Sequence, residues 1–478
     1  MTITKYTPEQ GDVLDHIVGT DGILLVSAGA GTGKSWLSEK ITKTMNPKKA
    51  LYTAFNKAIV TEGLERFKGT NVVCKTMHAL AYQYVNPNMP IEDFTYSCIT
   101  ENITYAKKAL VIKAVDMFYV SDSVDMYVFM EEFFKKEPGG KQLENIAIKY
   151  IDQMVDRSLN PTFNFLLKYF HLMLVEKSIS CKYDLVILDE INDTTAVVLE
   201  IFKLIDAPKK LGLGETNQAI YKFLNLADGF EELSDAPVLN LTQSFRCSTD
   251  IAQRIQTFMK AEVSEDFKFI GTDAPVKNGK SLYCTLTNAF IITQICVQLE
   301  IGKGFKLLRK PADIFACPLA LMSASSGKEP YQKKYKFLVK EYKYYQDAPS
   351  KGKSFFQYLL EHVDDTEIHN AVKLLMSFSR KNINLFDIYK RAKAAPVDNN
   401  YTIATVFTSK GLEYETVTIA DDLNTKITSI RDNGGIQTED DLVAYRCYYV
   451  ACSRAGVNLL NARMLPKASR HKMDKNFG

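Results

Sequence analysis

Short apolar runs, each long enough only for a strand, recur along the chain and give way to segments with helical spacing of apolar positions. Residues 23–26 form the first such run, and the helix signal begins at Trp36 and continues to about Thr44. Residues 50–53 and 72–75 are further short strands followed by helix-like sequence, and residues 185–188 are a continuous apolar run ending in acids. Buried strands alternating with helices predict an α/β fold with parallel sheets. A second α/β block begins near Val238 and resumes at 401–420, where runs 402–407 and 416–420 flank Ser409-Lys410-Gly411. Residues 91–180 and 328–400 have helical periodicity instead. The expected layout is two parallel-sheet α/β domains, 1–90 with 181–237 and 238–327 with 401–478, each carrying a mainly helical insertion.

Composition narrows the function classes without naming one. A chain of 478 residues holds two or three domains, and a formal charge of +3 is too small for a surface coated in basic patches, so any nucleic-acid contact is confined to a groove. The N-terminus holds Asp12 and Asp15 and lacks the basic-then-apolar pattern of a signal peptide. No apolar run reaches membrane-spanning length. The nine cysteines contain no CxxC pair, which argues against a zinc site or a disulfide framework and for a reducing, cytoplasmic setting.

The loop after the first strand reads Ala28-Gly29-Ala30-Gly31-Thr32-Gly33-Lys34-Ser35. Its glycines let backbone N–H groups turn inward around phosphates, Lys34 places a point charge on the β/γ oxygens, and the Ser35 hydroxyl is suited to ligate Mg²⁺. The plain alternative is a flexible Gly-rich turn. The partner half of such a site is a strand ending in carboxylates, which Asp189 and Glu190 supply: Asp189 for Mg²⁺ and Glu190 to orient and deprotonate an attacking water. Arg246 and Arg454, both in the second block, are available to stabilise charge on a transferred γ-phosphoryl group, or else form surface ion pairs. On this reading the nucleotide, ATP, sits between the two domains.

In their order these motifs resemble the UvrD-like helicases of superfamily one, and the F-box DNA helicase group in particular. The resemblance runs from Tyr6 to about Leu460. Thr7-Pro8-Glu9-Gln10 resembles the Q motif and implies that Gln10 reads the adenine. Asn56-Lys57-Ala58 and Thr76-Met77-His78 are similar to motifs lining the DNA path, and Asp189-Glu190-Ile191-Asn192-Asp193 stands where the family writes DEAQD. The stretch from Gly214 to Tyr221 resembles the GDxxQxIY motif, implying that Gln218 links γ-phosphate to DNA. Residues 241–246 imply Phe245 stacking on adenine and Arg246 as an arginine finger. Gly411 and Glu413 fall in a match to motif five, and Arg454 is the second finger in a match to motif six. The sequence departs from the family at Asn192 (usually Gln), Glu215 (usually Asp) and Phe407 (often His). No F-box is expected, because Gln10 lies too near the N-terminus.

Single strands are gripped by stacking and backbone charge pairing. Phe223 and Tyr221 follow Gln218, and Phe55 adjoins Asn56; each aromatic is a stacking candidate or a core residue. With Thr76, His78 and Thr405 they make up the expected DNA contacts. A Lys/Tyr-rich stretch, 331–353, suits either DNA contact or a solvated amphipathic helix. The resemblance implies 3′-to-5′ travel on single-stranded DNA, and the expected protein is a monomeric motor of two RecA-like domains that uses ATP and Mg²⁺ at single/double-strand junctions, with replication or recombination proteins as partners. Its small size suits a phage or viral genome. Rival readings are an ATP-switched DNA-binding remodeller, the motor subunit of a helicase-nuclease, and an RNA motor.

Overall fold

The structure, a computed structural model, describes residues 6–54, 57–221, 226–347 and 352–466. The chain forms two units, Met1–Thr242 and Gln243–Gly478. Phe55, Asn56 and Phe223, named above as DNA contacts, and Lys351 lie outside the described residues.

The first unit is built on six parallel strands: β1 Gly22–Ala28, β2 Ala50–Ala54, β3 Val72–Thr76, β4 Leu185–Asp189, β5 Lys209–Gly214 and β6 Val238–Leu241. Their order is β3-β2-β4-β5-β1-β6. Every residue of β2 and β4 is buried, the consequence of covering both faces of a parallel sheet with helices. Alternate side chains still divide between faces. Leu24, Val26, Tyr52 and Ile187 pack with helices Pro8–Gly19 and Lys34–Met45, while Leu25, Leu51, Val186 and Leu188 pack on the other side with Leu80, Phe170 and Phe202. Register places Ala54 beside both Thr76 and Asp189, and Ser27 beside Gly214, so the carboxyl ends of these strands share one edge. Ligands of open parallel sheets bind at that edge.

β6 corrects the expected boundary at residue 238. It pairs with β1 and buries Leu241 in the first unit's core, so the second unit starts at Gln243. β5 has no counterpart in the sequence reading. Its Lys-Lys-Leu-Gly-Leu-Gly sequence carries turn-like residues, and only flanking strands on both sides make it a strand.

The first helical insertion has its own core of Val111, Phe118, Phe134, Ile151 and Phe165. Its last helix, Phe163–Val175, faces two ways, giving Phe165 and Leu166 to that core and Leu167, Phe170 and Leu174 to the sheet. Two titratable groups are buried on it. Lys168 donates to the carbonyls of Ser121 (2.9 Å) and Ser123 at the C-terminal end of helix Tyr105–Val120, where a cation complements the helix dipole. Desolvation nevertheless lowers its ammonium to about 8. Burial, reinforced by Lys168, pushes His171 from 6.5 down to about 4. The unfolded chain therefore takes up this proton near pH 6.5 and the folded chain only near pH 4, so stability falls as pH drops through that window, by roughly 3 kcal/mol in all. His171→Leu is expected to flatten this dependence, read from urea midpoints at pH 7 and pH 4.5. Equal losses in both proteins would assign it to other groups.

The second unit has a two-stranded parallel ribbon, β7 Gln243–Ser248 and β8 Ile270–Thr272. Its main sheet comprises β9 Ser281–Thr285, β10 Lys306–Leu307, β11 Tyr401–Thr405, β12 Tyr414–Ile419 and β13 Ala455–Leu460, all parallel, ordered β10-β11-β9-β12-β13. Both units thus have the α/β architecture that the alternation predicts. The helices of 328–400 do not form a separate core. Leu338, Leu359 and Val372 join Ile291, Ile295 and Ile403 in one cluster continuous with the sheet. Among the described residues no helix is long and apolar enough to cross a membrane. All nine cysteines are free thiols, and only Cys98 is not buried.

Candidate functional site

The phosphate loop connects β1 to helix Lys34–Met45 at the carboxyl edge of the first sheet. Gly31 and Gly33 adopt φ of 72° and 84°, a region open to glycine at no steric cost, and this turns the chain straight from strand into helix. The loop is pinned at several points. Gly29 N donates to Leu241 O (3.0 Å), the Thr32 hydroxyl donates to Gly29 O (2.9 Å), and Gln10 Nε2 donates to Thr32 O (3.2 Å). The helix N-terminus has no side-chain cap. Its amide donors are those an anionic phosphate satisfies.

Gln10 is engaged at both ends of its amide. Its Oε1 accepts from Thr7 N (3.1 Å) and its own N–H donates to Thr7 Oγ1 (3.1 Å), a reciprocal cap on helix Pro8–Gly19. Glu9 accepts from the Thr242 amide (2.7 Å) and hydroxyl (2.6 Å), tying the same helix start to the end of β6. One N–H of the Gln10 amide and one acceptor site of its Oε1 remain beyond these bonds.

The strand-end carboxylates stand beside the loop. Lys34 Nζ lies 3.4 Å from Glu190 Oε1, with both side chains about 15% exposed (15% and 14%). Glu190 adopts φ 57°, ψ 49°, a left-handed conformation that costs a non-glycine residue about 1–3 kcal/mol and that recurs at functional sites. Asp189 is buried. Its Oδ1 accepts from Glu190 N (3.0 Å) and its Oδ2 from the Tyr52 hydroxyl. Desolvation and the Glu190 charge push Asp189 above the ordinary carboxylate range, against Lys34 and the two hydrogen bonds. The donor set fits Mg²⁺: an Asp carboxylate and the Ser35 hydroxyl are hard oxygen ligands of the kind that share this ion with water and phosphate.

Gln218 is buried in the turn Thr216–Gln218, its amide donating to the Glu215 carboxylate. Asn192 is turned aside. Its Nδ2 donates to Asp228 Oδ1 (2.9 Å), the oxygen that caps Phe230 N (3.0 Å), so the residue at the family's glutamine position serves as a structural tie. Thr76 caps helix Met77–Val85, accepting from Ala79 N at 3.2 Å and keeping its hydroxyl proton to donate. Burial lowers the pKa of His78 below its ordinary value, opposed by its contact with Asn164. His78 contacts Asn164 at 3.2 Å and stands edge-on to Phe163, whose ring is 55% exposed. Tyr221 is half-buried.

In the second unit, Arg246 on β7 is buried, with Nε 3.3 Å from Glu413 Oε2 and Nη1 3.2 Å from Ser453 O. Arg454, only 1% exposed, donates to Val450 O (3.0 Å), Leu412 O (3.4 Å) and Ser453 Oγ (3.2 Å). The fold therefore gathers Arg246, Glu413 and Arg454 around Ser453; Arg246 does form an ion pair, with the half-exposed Glu413, but both guanidiniums are themselves buried. Phe245 exposes 44% of its area, and Gly411 has φ +85° with open space where a side chain would be. Thr405 is a correction of detail. The strand ends there, not at Phe407, because the Thr405 hydroxyl accepts from Thr408 N (3.3 Å) and starts the helical turn Val406–Ser409.

The Lys/Tyr-rich stretch also splits. Tyr335 is buried, and Tyr342 and Tyr345 pack against Phe355 at ring distances of 5.1 and 5.5 Å, while Tyr331, Phe337 and Tyr344 are exposed. Lys334, Lys336 and Lys353 pair with Glu367, Glu329 and Glu361. Much of the stretch is core and ion pairs, and the DNA contact it suggested rests on the exposed remainder.

Residues 16–224 match the family model of a AAA domain, a span that holds the loop, Asp189, Glu190 and Gln218. F-box DNA helicase 1 of Gallus gallus is 24% identical over 523 aligned residues, covering 96% of this chain and 49% of that protein. F-box DNA helicase protein 1 of Schizosaccharomyces pombe is 23% identical over 525, covering 95% and 57%. The chain is similar to these F-box DNA helicases over nearly its whole length. It spans about half the length of these curated relatives. The match covers nearly all of this chain and so runs through both units.

Sequence reading missed Tyr52, Glu9 with Thr242, and Phe163. A tyrosine inside the otherwise small and aliphatic Ala-Leu-Tyr-Thr-Ala strand was a signal for the first. The other two contacts join positions 233 and 85 residues apart (242 − 9 and 163 − 78), and no local pattern marks them.

Proposed function

We propose that this chain is an ATP-driven motor on single-stranded DNA that travels 3′ to 5′ and separates strands at single/double-strand junctions. One observation carries the reading: Lys34 of the phosphate loop and Glu190 at the end of β4 meet at 3.4 Å on the carboxyl edge of a parallel sheet. Similarity to the F-box DNA helicases supports the choice of DNA.

In this reading the loop amides and Lys34 hold the β- and γ-phosphates, and Ser35 and Asp189 hold Mg²⁺. The bound ion supplies charge neutralisation at the phosphate oxygens. Glu190 accepts the proton of the attacking water. Arg246 and Arg454 supply further positive charge to the γ-phosphoryl group, Phe245 stacks on adenine and Glu413 contacts the nucleotide. Gln218, now held by Glu215, reports the state of the γ-phosphate to the DNA path through Thr76, His78, Tyr221 and Thr405. Alternation between nucleotide states then biases a two-state motion that advances the strand. The chain works as a monomer and meets replication or recombination proteins at the junction.

Strand displacement on tailed duplexes tests the proposal. Products are expected from substrates with a 3′ tail and not a 5′ tail, with ATP and Mg²⁺ required. ATP turnover stimulated by single strands but without displaced product would replace the motor by an ATP-switched remodeller. Equal stimulation by RNA would overturn the assignment to DNA.

A further inference from the structure

We propose that Tyr52 is a positioning residue for Asp189, fixing the carboxylate in the orientation that receives the metal of a bound metal-nucleotide. The inference rests on the reading of the loop as an ATP site.

The observations start from the strand. Tyr52 lies on β2 opposite Ile187 of β4, two residues short of the Ala54 and Asp189 pair. Its side chain is fully buried on the face packed with helices Pro8–Gly19 and Lys34–Met45. For packing alone, phenylalanine would serve as well, and a buried phenolic hydroxyl must find a partner. Here the partner is Asp189 Oδ2. With Glu190 N on Oδ1, each carboxylate oxygen carries one donor, and the plane of the group is fixed from two sides.

The ring in turn is held in place. Phe67 contacts it at a centroid distance of 5.2 Å, and the Arg66 guanidinium lies beside the hydroxyl. Position 63 is glycine, and a Cβ there would come within 2.9 Å of ring atom Cε1. The space that lets Tyr52 reach Asp189 thus depends on a missing side chain one turn before Arg66. Outer partners that orient a ligating carboxylate are typically worth 10- to 100-fold in metal affinity.

The test compares parent and Tyr52→Phe, which keeps the ring and removes the hydroxyl. A fluorescent ATP analogue is titrated with Mg²⁺, and separately in EDTA. The Mg²⁺ concentration for half-maximal effect is expected to rise about tenfold or more, while metal-free nucleotide binding and the melting temperature stay close to parental. In an Asp189→Asn background, Tyr52→Phe should produce no additional change in Mg²⁺ dependence, and this arm does not need the hydroxyl to contribute to folding. An unchanged Mg²⁺ requirement would overturn the inference, as would equal weakening with and without metal or additive effects in the double variant. If the parent itself bound no nucleotide, the ATP-site reading and the inference would fall together. If the parent bound it and Tyr52→Phe matched the parent, only the inference would fall.

Discussion

Lys34→Ala is expected to abolish ATP turnover, with a loss of at least about a hundredfold in phosphate release measured with single-stranded DNA present. The reason lies in what the ammonium is placed between. On one side is the loop that turns its amides toward phosphate, and on the other is Glu190 at 3.4 Å, backed by the buried Asp189. Removing this cation leaves two adjacent carboxylates facing a polyanionic ligand, so the site repels what it must bind. Nucleotide-induced thermal stabilisation should vanish with it, since stabilisation by a ligand scales with occupancy. Parental turnover in this variant would remove the loop from the reaction.

Glu190→Gln separates binding from chemistry. The amide keeps the size of the side chain and tolerates the left-handed backbone as well as glutamate does, but it accepts no proton from water. Hydrolysis in a single turnover should fall by about 10²- to 10⁴-fold, the usual contribution of a positioned base. Nucleotide affinity should hold or rise, because Lys34 loses its intramolecular ion-pair partner and is left to the phosphates. Such a variant should also stay bound to single-stranded DNA in the presence of ATP. If its hydrolysis matched the parent, water activation would belong to another residue.

The strand-loop-helix of the phosphate site was legible in the sequence because each part is local. Residues 23–26, 185–188 and the glycine loop carry their signals within a few positions, and the structure extends them only slightly, to Gly22–Ala28, Leu185–Asp189 and a helix beginning at Lys34. β5 and β6 were not legible in the same way. Lys209 and Lys210 with two glycines carry no strand signal of their own, and the strand exists because β1 and β4 flank it. Val238–Leu241 was read into the wrong unit because proximity along the chain says nothing about which sheet edge is open.

The aromatic residues make the same distinction within one segment. Composition put Tyr331, Tyr335, Tyr342, Tyr344 and Tyr345 in one class, whereas packing against Phe355 divides them into core and surface. The hydroxyls of Thr76 and Thr405 likewise have caps to make, and Asn192 has Asp228 to hold.

By itself the sequence determined the chemistry available: a phosphate loop with its lysine, a carboxylate pair on a buried strand, and arginines in a second α/β block. Those depend on residue types at fixed local spacing. The tertiary structure alone decided which groups meet. It brought Glu190 to Lys34, closed Gln10 onto Thr32, set Tyr52 on Asp189, and sank Arg246 and Arg454 among the carbonyls and hydroxyl around Ser453. The physical reason is that register in a parallel sheet aligns strand ends contributed from distant parts of the chain, and burial then leaves each polar group only the partners within its reach.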